Sequence, residues 1–78
     1  MATRAFVLIE TSVGKTRDVV KSLQGVKEMR SVDAVTGPYD VIAVVEANDL
    51  NTVGNLVTSH IHTISGVLRT VTCLSVSL

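Results

Sequence analysis

Thr36-Gly37-Pro38-Tyr39-Asp40 runs directly into Val41-Ile42-Ala43-Val44-Val45-Glu46, a turn feeding without a spacer into the most apolar, β-branched run of the chain. Gly and Pro supply the dihedral angles of a tight connection, because proline already has its φ fixed. The run after it reads as a buried strand. Upstream, residues 26–36 read as a weaker strand whose Lys27, Glu28, Arg30 and Asp33 suit a sheet edge that resists mispairing. So short a link between two strands makes an antiparallel hairpin. Asp40 is the costly residue of the turn: aspartate has poor strand propensity, and a carboxylate at the lip of an apolar strand must find donors or stay wet. Its position marks the turn as a candidate ligand-binding loop.

Working outward, residues 4–10 place Phe6 and Leu8 on one side and Ala5, Val7 and Ile9 on the other, the pattern of a central strand covered twice. Thr11-Ser12-Val13-Gly14 breaks it, and Val13, Val19, Val20 and Leu23 then form the apolar stripe of a helix that Gly25 ends. Beyond the hairpin, Asn48-Asp49 starts a second helix with Leu50, Val53, Leu56, Val57, Ile61 and Ile64 at helical spacing. Gly66 separates it from a last strand over residues 67–78. In that strand Leu68, Leu74, Val76 and Leu78 face one way, and Val67, Val71 and Cys73 the other. The order strand, helix, strand, strand, helix, strand predicts one α+β domain over residues 1–78. It has the ferredoxin-like βαββαβ arrangement, a four-stranded antiparallel sheet with two helices on one face. The other face is then apolar and uncovered, which predicts sheet-to-sheet dimerisation.

Seventy-eight residues, 46% of them hydrophobic, bury only about two thirds of the unfolded surface, so a core this small needs help. One cysteine, Cys73, allows no internal disulfide, and oligomerisation is the remaining source of stability. Seven basic residues balance seven acidic ones, and Phe6 and Tyr39 are the only aromatics. Direct nucleic-acid binding is therefore not expected. The apolar opening run is too short for a signal-peptide core or a membrane span, which with the lone thiol predicts a cytoplasmic protein without membrane contact.

Several local patterns carry less than they suggest. Gly14-Lys15-Thr16 resembles the end of a phosphate-binding loop, but Ile9 stands where that motif needs glycine. Ser12 and Lys15 have the spacing of a serine–lysine nucleophile pair without its partner motifs. His60 and His62 lie at a helix end, where positions two apart diverge by roughly 200°, so no metal site is expected there. Cys73 reads as a small hydrophobe. Thr70 and Thr72 share one face of the last strand and can hold a small polar ligand, while Arg69 points the other way as a surface or interface charge.

The stretch Gly37-x-Tyr39-Asp40 with its apolar strand, the helix ending near Ile64, and Gly66-Val67-x-Arg69-Thr70-x-Thr72 together resemble the effector-binding (RAM) domain of the Lrp/AsnC regulators. The resemblance covers about residues 4–76. It implies a stand-alone form lacking the helix-turn-helix that reads DNA in longer family members. It also implies effectors held between dimers within rings, near Gly37, Tyr39, Asp40, Thr70 and Thr72. Turn amides and threonine hydroxyls would receive a free amino acid's carboxylate, and Asp40 its ammonium group. Pro38 cannot donate an amide hydrogen, and Asp40 can equally hold its own turn by accepting backbone hydrogen bonds.

The expected protein is thus no enzyme. It needs no cofactor or metal, assembles as a dimer and then a ring of roughly eight to ten chains, and modulates transcription through a partner such as a full-length Lrp/AsnC regulator. Two rivals remain: a small dimeric ferredoxin-like enzyme of monooxygenase or isomerase type with His60 or His62 as base, and an assembly subunit that binds no ligand.

Overall fold

The computed structural model describes residues 2–78. Strand β1 spans Thr3–Thr11, helix α1 Thr16–Gln24, strand β2 Met29–Ala34, strand β3 Val41–Ala47, helix α2 Leu50–Leu56 with a π-helical extension over Val57–Ile61, and strand β4 Val67–Leu74. The strands lie in the order β2-β3-β1-β4 and every neighbouring pair is antiparallel. Each helix therefore carries the chain across one intervening strand, α1 over β3 and α2 over β1, which is the predicted ferredoxin-like arrangement.

Alternation along the two central strands decides what the helices cover. Ala5, Val7, Ile9, Val41, Ala43 and Val45 are completely buried on the helix side, where they meet Val19 and Leu23 of α1 and Val53, Leu56, Val57 and Ile61 of the second helical segment. Phe6, Leu8, Ile42 and Val44 face the other way and are only half-buried. Cross-strand partners continue that open face onto β4, with Cys73 opposite Phe6 and Val71 opposite Leu8. Cys73 is exposed there rather than packed as an interior residue.

Five expectations shift. Val13 is fully exposed, not part of the helical stripe, because Gly14 turns the chain with φ +79° and α1 starts after Lys15. Strand β2 is shorter than residues 26–36. Met29 N–H donates to the Val26 carbonyl in a turn at one end, and Val35 N–H donates to Asp40 to close the hairpin loop at the other. Leu50 is exposed, since the helix begins at that residue on the solvent side. The last strand stops at Leu74 rather than Leu78, with one further rung from Ser75 N–H to the Arg4 carbonyl. A register shift between Glu10 and Thr11 also changes the phase of β4, so Val67 packs against the core instead of joining the open face.

The second helix is capped as the sequence suggests. Asp49 Oδ1 accepts from both the backbone N–H and the hydroxyl of Thr52, each at 2.8 Å. These bonds, the backbone one first, hold the Asp49 carboxyl below its ordinary value of 3.8. Further along, His62 N–H donates to the Val57 carbonyl at 2.9 Å, the five-residue spacing of a π turn.

Candidate functional site

The hairpin loop and the start of β4 lie on opposite sides of the end of β1. Asp40 N–H donates to the Ile9 carbonyl at 2.9 Å, while Thr70 is the β4 partner of Ile9. Their backbones are therefore two strand spacings apart, roughly 9–10 Å, at one end of the sheet. Gly37 has φ +129°, a conformation that favours glycine, and it lets the loop turn back so that Tyr39 and Asp40 rejoin the sheet.

Asp40 binds across the sheet rather than within its own turn. Its Oδ2 accepts from Thr11 N–H at 2.9 Å, which ties the hairpin to the end of β1 where the register shifts. The same stretch of β1 is fixed from the other side. Ser12 N–H donates to the Gly66 carbonyl at 2.8 Å, and Gly66 itself sits at φ +100°. A Cβ there would lie 2.7 Å from Lys15 Cβ and 3.3 Å from Val19 Cγ2, so only glycine fits.

Across the end of β1, the Arg69 guanidinium lies over the Tyr39 ring at 5.7 Å, and its Nε is 3.7 Å from Glu10 Oε1. Thr70 points to the other face of β4, where its hydroxyl and His62 Nε2 are 2.8 Å apart. Thr72 shares that face one pair further along, opposite Val7. An open depression of about 340 Å³ is lined by His62, Val67, Leu68, Arg69 and Thr70.

A protein-family model, the Lrp/AsnC ligand binding domain, matches residues 4–77. The chain belongs to this family. Among solved structures, TTHA0845 from Thermus thermophilus is 32% identical with a TM-score of 0.92, the match covering 97% of this chain and 95% of that one. FFRP-DM1 is 30% identical with a TM-score of 0.91, over 95% of this chain and 99% of that one. The Escherichia coli regulator AsnC has the same fold at 18% identity and a TM-score of 0.91, and the match covers 97% of this chain and 52% of AsnC. The transcriptional regulator NMB0573 from Neisseria meningitidis, solved as a complex with L-Met, is 19% identical with a TM-score of 0.87, over 96% of this chain and 50% of that one. No curated protein matches the chain by sequence.

Within this Lrp/AsnC domain the five sequence-predicted residues do not form one cluster. Gly37, Tyr39 and Asp40 occupy the hairpin loop, whereas Thr70 and Thr72 lie on the helix-side face of the edge strand, beyond β1. The residue that links the two groups is Arg69, which touches Tyr39 directly and adjoins Thr70 in the chain. His62 is the second side chain that sequence reasoning left aside, as a helix-end polar group. No sequence signal pointed to its bond with Thr70, because the π turn that orients the ring leaves no periodic trace.

The open face of the sheet is framed by charge. Glu46 Oε2 is 3.8 Å from Arg4 Nε and Glu46 Oε1 is 3.3 Å from Arg30 Nε at one end, with the Arg69–Glu10 pair at the other. Arg4 also lies over the Phe6 ring at 5.6 Å. These exposed pairs add little stability, but they surround Phe6, Leu8, Ile42, Val44, Val71 and Cys73 with a polar rim, the usual anatomy of a protein interface.

Proposed function

We propose that the protein is a cytoplasmic effector-binding regulatory module. It binds a free amino acid, assembles through the open sheet face into dimers and larger rings, and acts on transcription through a partner regulator rather than by touching DNA or catalysing a reaction. The observation that carries this reading is the pairing of two features in one ligand-binding family: a hairpin turn and the start of β4 flank the end of β1, and the sheet beside them is apolar and uncovered. A relative of the same fold takes L-Met, which supports an amino acid as the ligand class.

Asp40 serves two purposes in this reading. Its Oδ2 holds Thr11, and Oδ1, which has no hydrogen-bond partner among the described residues, is available to an ammonium group. Loop amides and the Thr70 and Thr72 hydroxyls receive the carboxylate, with the two parts of the site brought together where dimers meet. Ligand and assembly are then linked, since whatever completes the site favours the assembled form. The rival enzyme reading has less support: the side chain paired with His62 Nε2 is the Thr70 hydroxyl, and among the described residues no carboxylate bonds to its ring.

The test is a thermal-shift screen of the twenty amino acids combined with light scattering. At least one amino acid should raise the melting temperature in a concentration-dependent way and change the assembly state. A flat screen with an unchanged oligomer would leave the ligand-free assembly subunit as the correct reading.

A further inference from the structure

Helix α1 and the edge strand β2 border a second depression, on the helix side of the sheet and away from the hairpin turn and the start of β4. It measures about 380 Å³ and is lined by Thr16, Arg17, Val20, Lys21, Gln24 and Ala34. Val20 packs against the core and gives the groove an apolar floor, which the exposed Ala34 continues onto β2. Arg17 and Lys21 are both exposed and stand one helical turn apart on α1, so they share a face. Among the described residues neither forms an ion pair, whereas Arg4, Arg30 and Arg69 each do. No acidic side chain lines the groove.

The backbone beside this groove is a free sheet edge. Strand β2 lies at one end of the sheet, and Val35 N–H donates to the Asp40 carbonyl. By alternation the backbone groups of Asp33 also turn toward β3, and those of Val32 and Ala34 face out. Val32 and Ala34 lie opposite Ala43 and Val41, which are buried beneath the helices, so their side chains are on the helix side. An extended segment paired with Val32 and Ala34 therefore places every second side chain between itself and α1, over Val20 and beside Arg17 and Lys21. The register shift between Met29 and Ser31, together with the Arg30 charge, confines pairing to the Val32–Ala34 end. Asp33 lies opposite Ile42 on the other face of the sheet, where it disfavours a second row of acidic side chains.

We propose that the α1–β2 groove binds an extended segment of a partner protein in which acidic and aliphatic residues alternate, adding it as a further strand beside β2. Its acidic side chains turn toward Arg17 and Lys21, and their methylenes lie on Val20 and Ala34. Main-chain bonds to Val32 and Ala34 supply affinity, and the two cations supply selectivity. A nucleic acid fits the groove less well, since two cations neutralise few phosphates and no aromatic residue lines it for base stacking. This surface does not depend on amino-acid binding.

Fluorescence anisotropy with a fluorescein-labelled octapeptide of alternating glutamate and valine tests this, alongside a lysine–valine counterpart and a single-stranded oligonucleotide of equal length. The glutamate peptide should bind, more weakly as salt rises, and the lysine peptide should bind about tenfold or more weakly than it does. In the double variant Arg17→Glu, Lys21→Glu, both at exposed positions, that preference should invert. N-methylation of every second peptide amide separates strand addition from charge attraction without altering the protein. Methylation of the set that faces β2 should abolish binding, and methylation of the alternate set should leave it intact. No binding of the glutamate peptide, equal binding of the two peptides, the same response to both methylation patterns, or tighter binding of the oligonucleotide each overturns the proposal.

Discussion

The two faces of the sheet start from similar aliphatic side chains and end in different environments. Ala5, Val7, Ile9, Val41, Ala43 and Val45 reach complete burial because α1 and α2 lie over them, whereas Phe6, Leu8, Ile42 and Val44, their immediate neighbours in sequence, stop at half-burial. One face is finished within the chain. The other stays uncovered, and it is ringed by ion pairs. The comparison separates folding from assembly along a single strand: odd-numbered residues of β1 from Ala5 to Ile9 serve the core, and Phe6 and Leu8 serve whatever closes the open side.

Substitutions on either side sharpen that division. The largest effect is expected from Leu8→Lys, which sets a charge in the middle of the open face. The assembly should dissociate, with light scattering falling toward the 8.3 kDa of one chain, and the melting temperature should lose its dependence on protein concentration. If Leu8→Lys leaves the mass unchanged, the open face is not the interface. On the covered side, Ile9→Ala should cost about 2–5 kcal/mol in denaturant unfolding at any protein concentration, the range for a large buried aliphatic truncated to alanine. Gly66→Ala, at the rim of the covered face, should cost about 1–3 kcal/mol from backbone strain and the clash with Lys15. Adding Lys15→Gly should recover part of that loss.

The smallest effect concerns acid stability. The Asp49 carboxyl is held below 3.8 by Thr52, so its cap contributes fully above that pH and is lost as pH falls through the lowered folded value. Asp49→Asn keeps a capping oxygen and should leave the melting temperature at neutral pH almost unchanged. It should also flatten the fall in melting temperature below about pH 4, measured as melting temperature against pH.

The architecture was legible because its signals are local and redundant. The run from Val41 to Val45, the Gly37-Pro38 turn and the capping residue Asp49 each announce one element, and their order leaves few topologies. What escaped depends on phase or on pairing. Val13 has helical spacing, yet Gly14 turns the chain before the helix begins. Val67 has the spacing of the open face, yet the shift at Glu10 and Thr11 returns it to the core. The residues of the candidate site were named from the sequence, but not the contacts they make. Tyr39 meets Arg69 only because of the register in which β3 and β4 flank β1, and His62 meets Thr70 only after a π turn, and neither relation has a periodic mark in the sequence.

The two outer strands also meet solvent differently, and this bears on how a single chain can aggregate. Strand β2 protects its edge with Arg30 at a register shift and with Asp33, whereas from Thr70 to Leu78 the chain carries no charge and no proline. The outward backbone groups of Thr70, Thr72 and Leu74 form a template on which any extended polypeptide can add a strand. A chain with this edge uncovered is therefore exposed to strand addition, a hazard that rises with protein concentration. One gatekeeper charge, such as Ser77→Lys, would lower that hazard without entering the packed core.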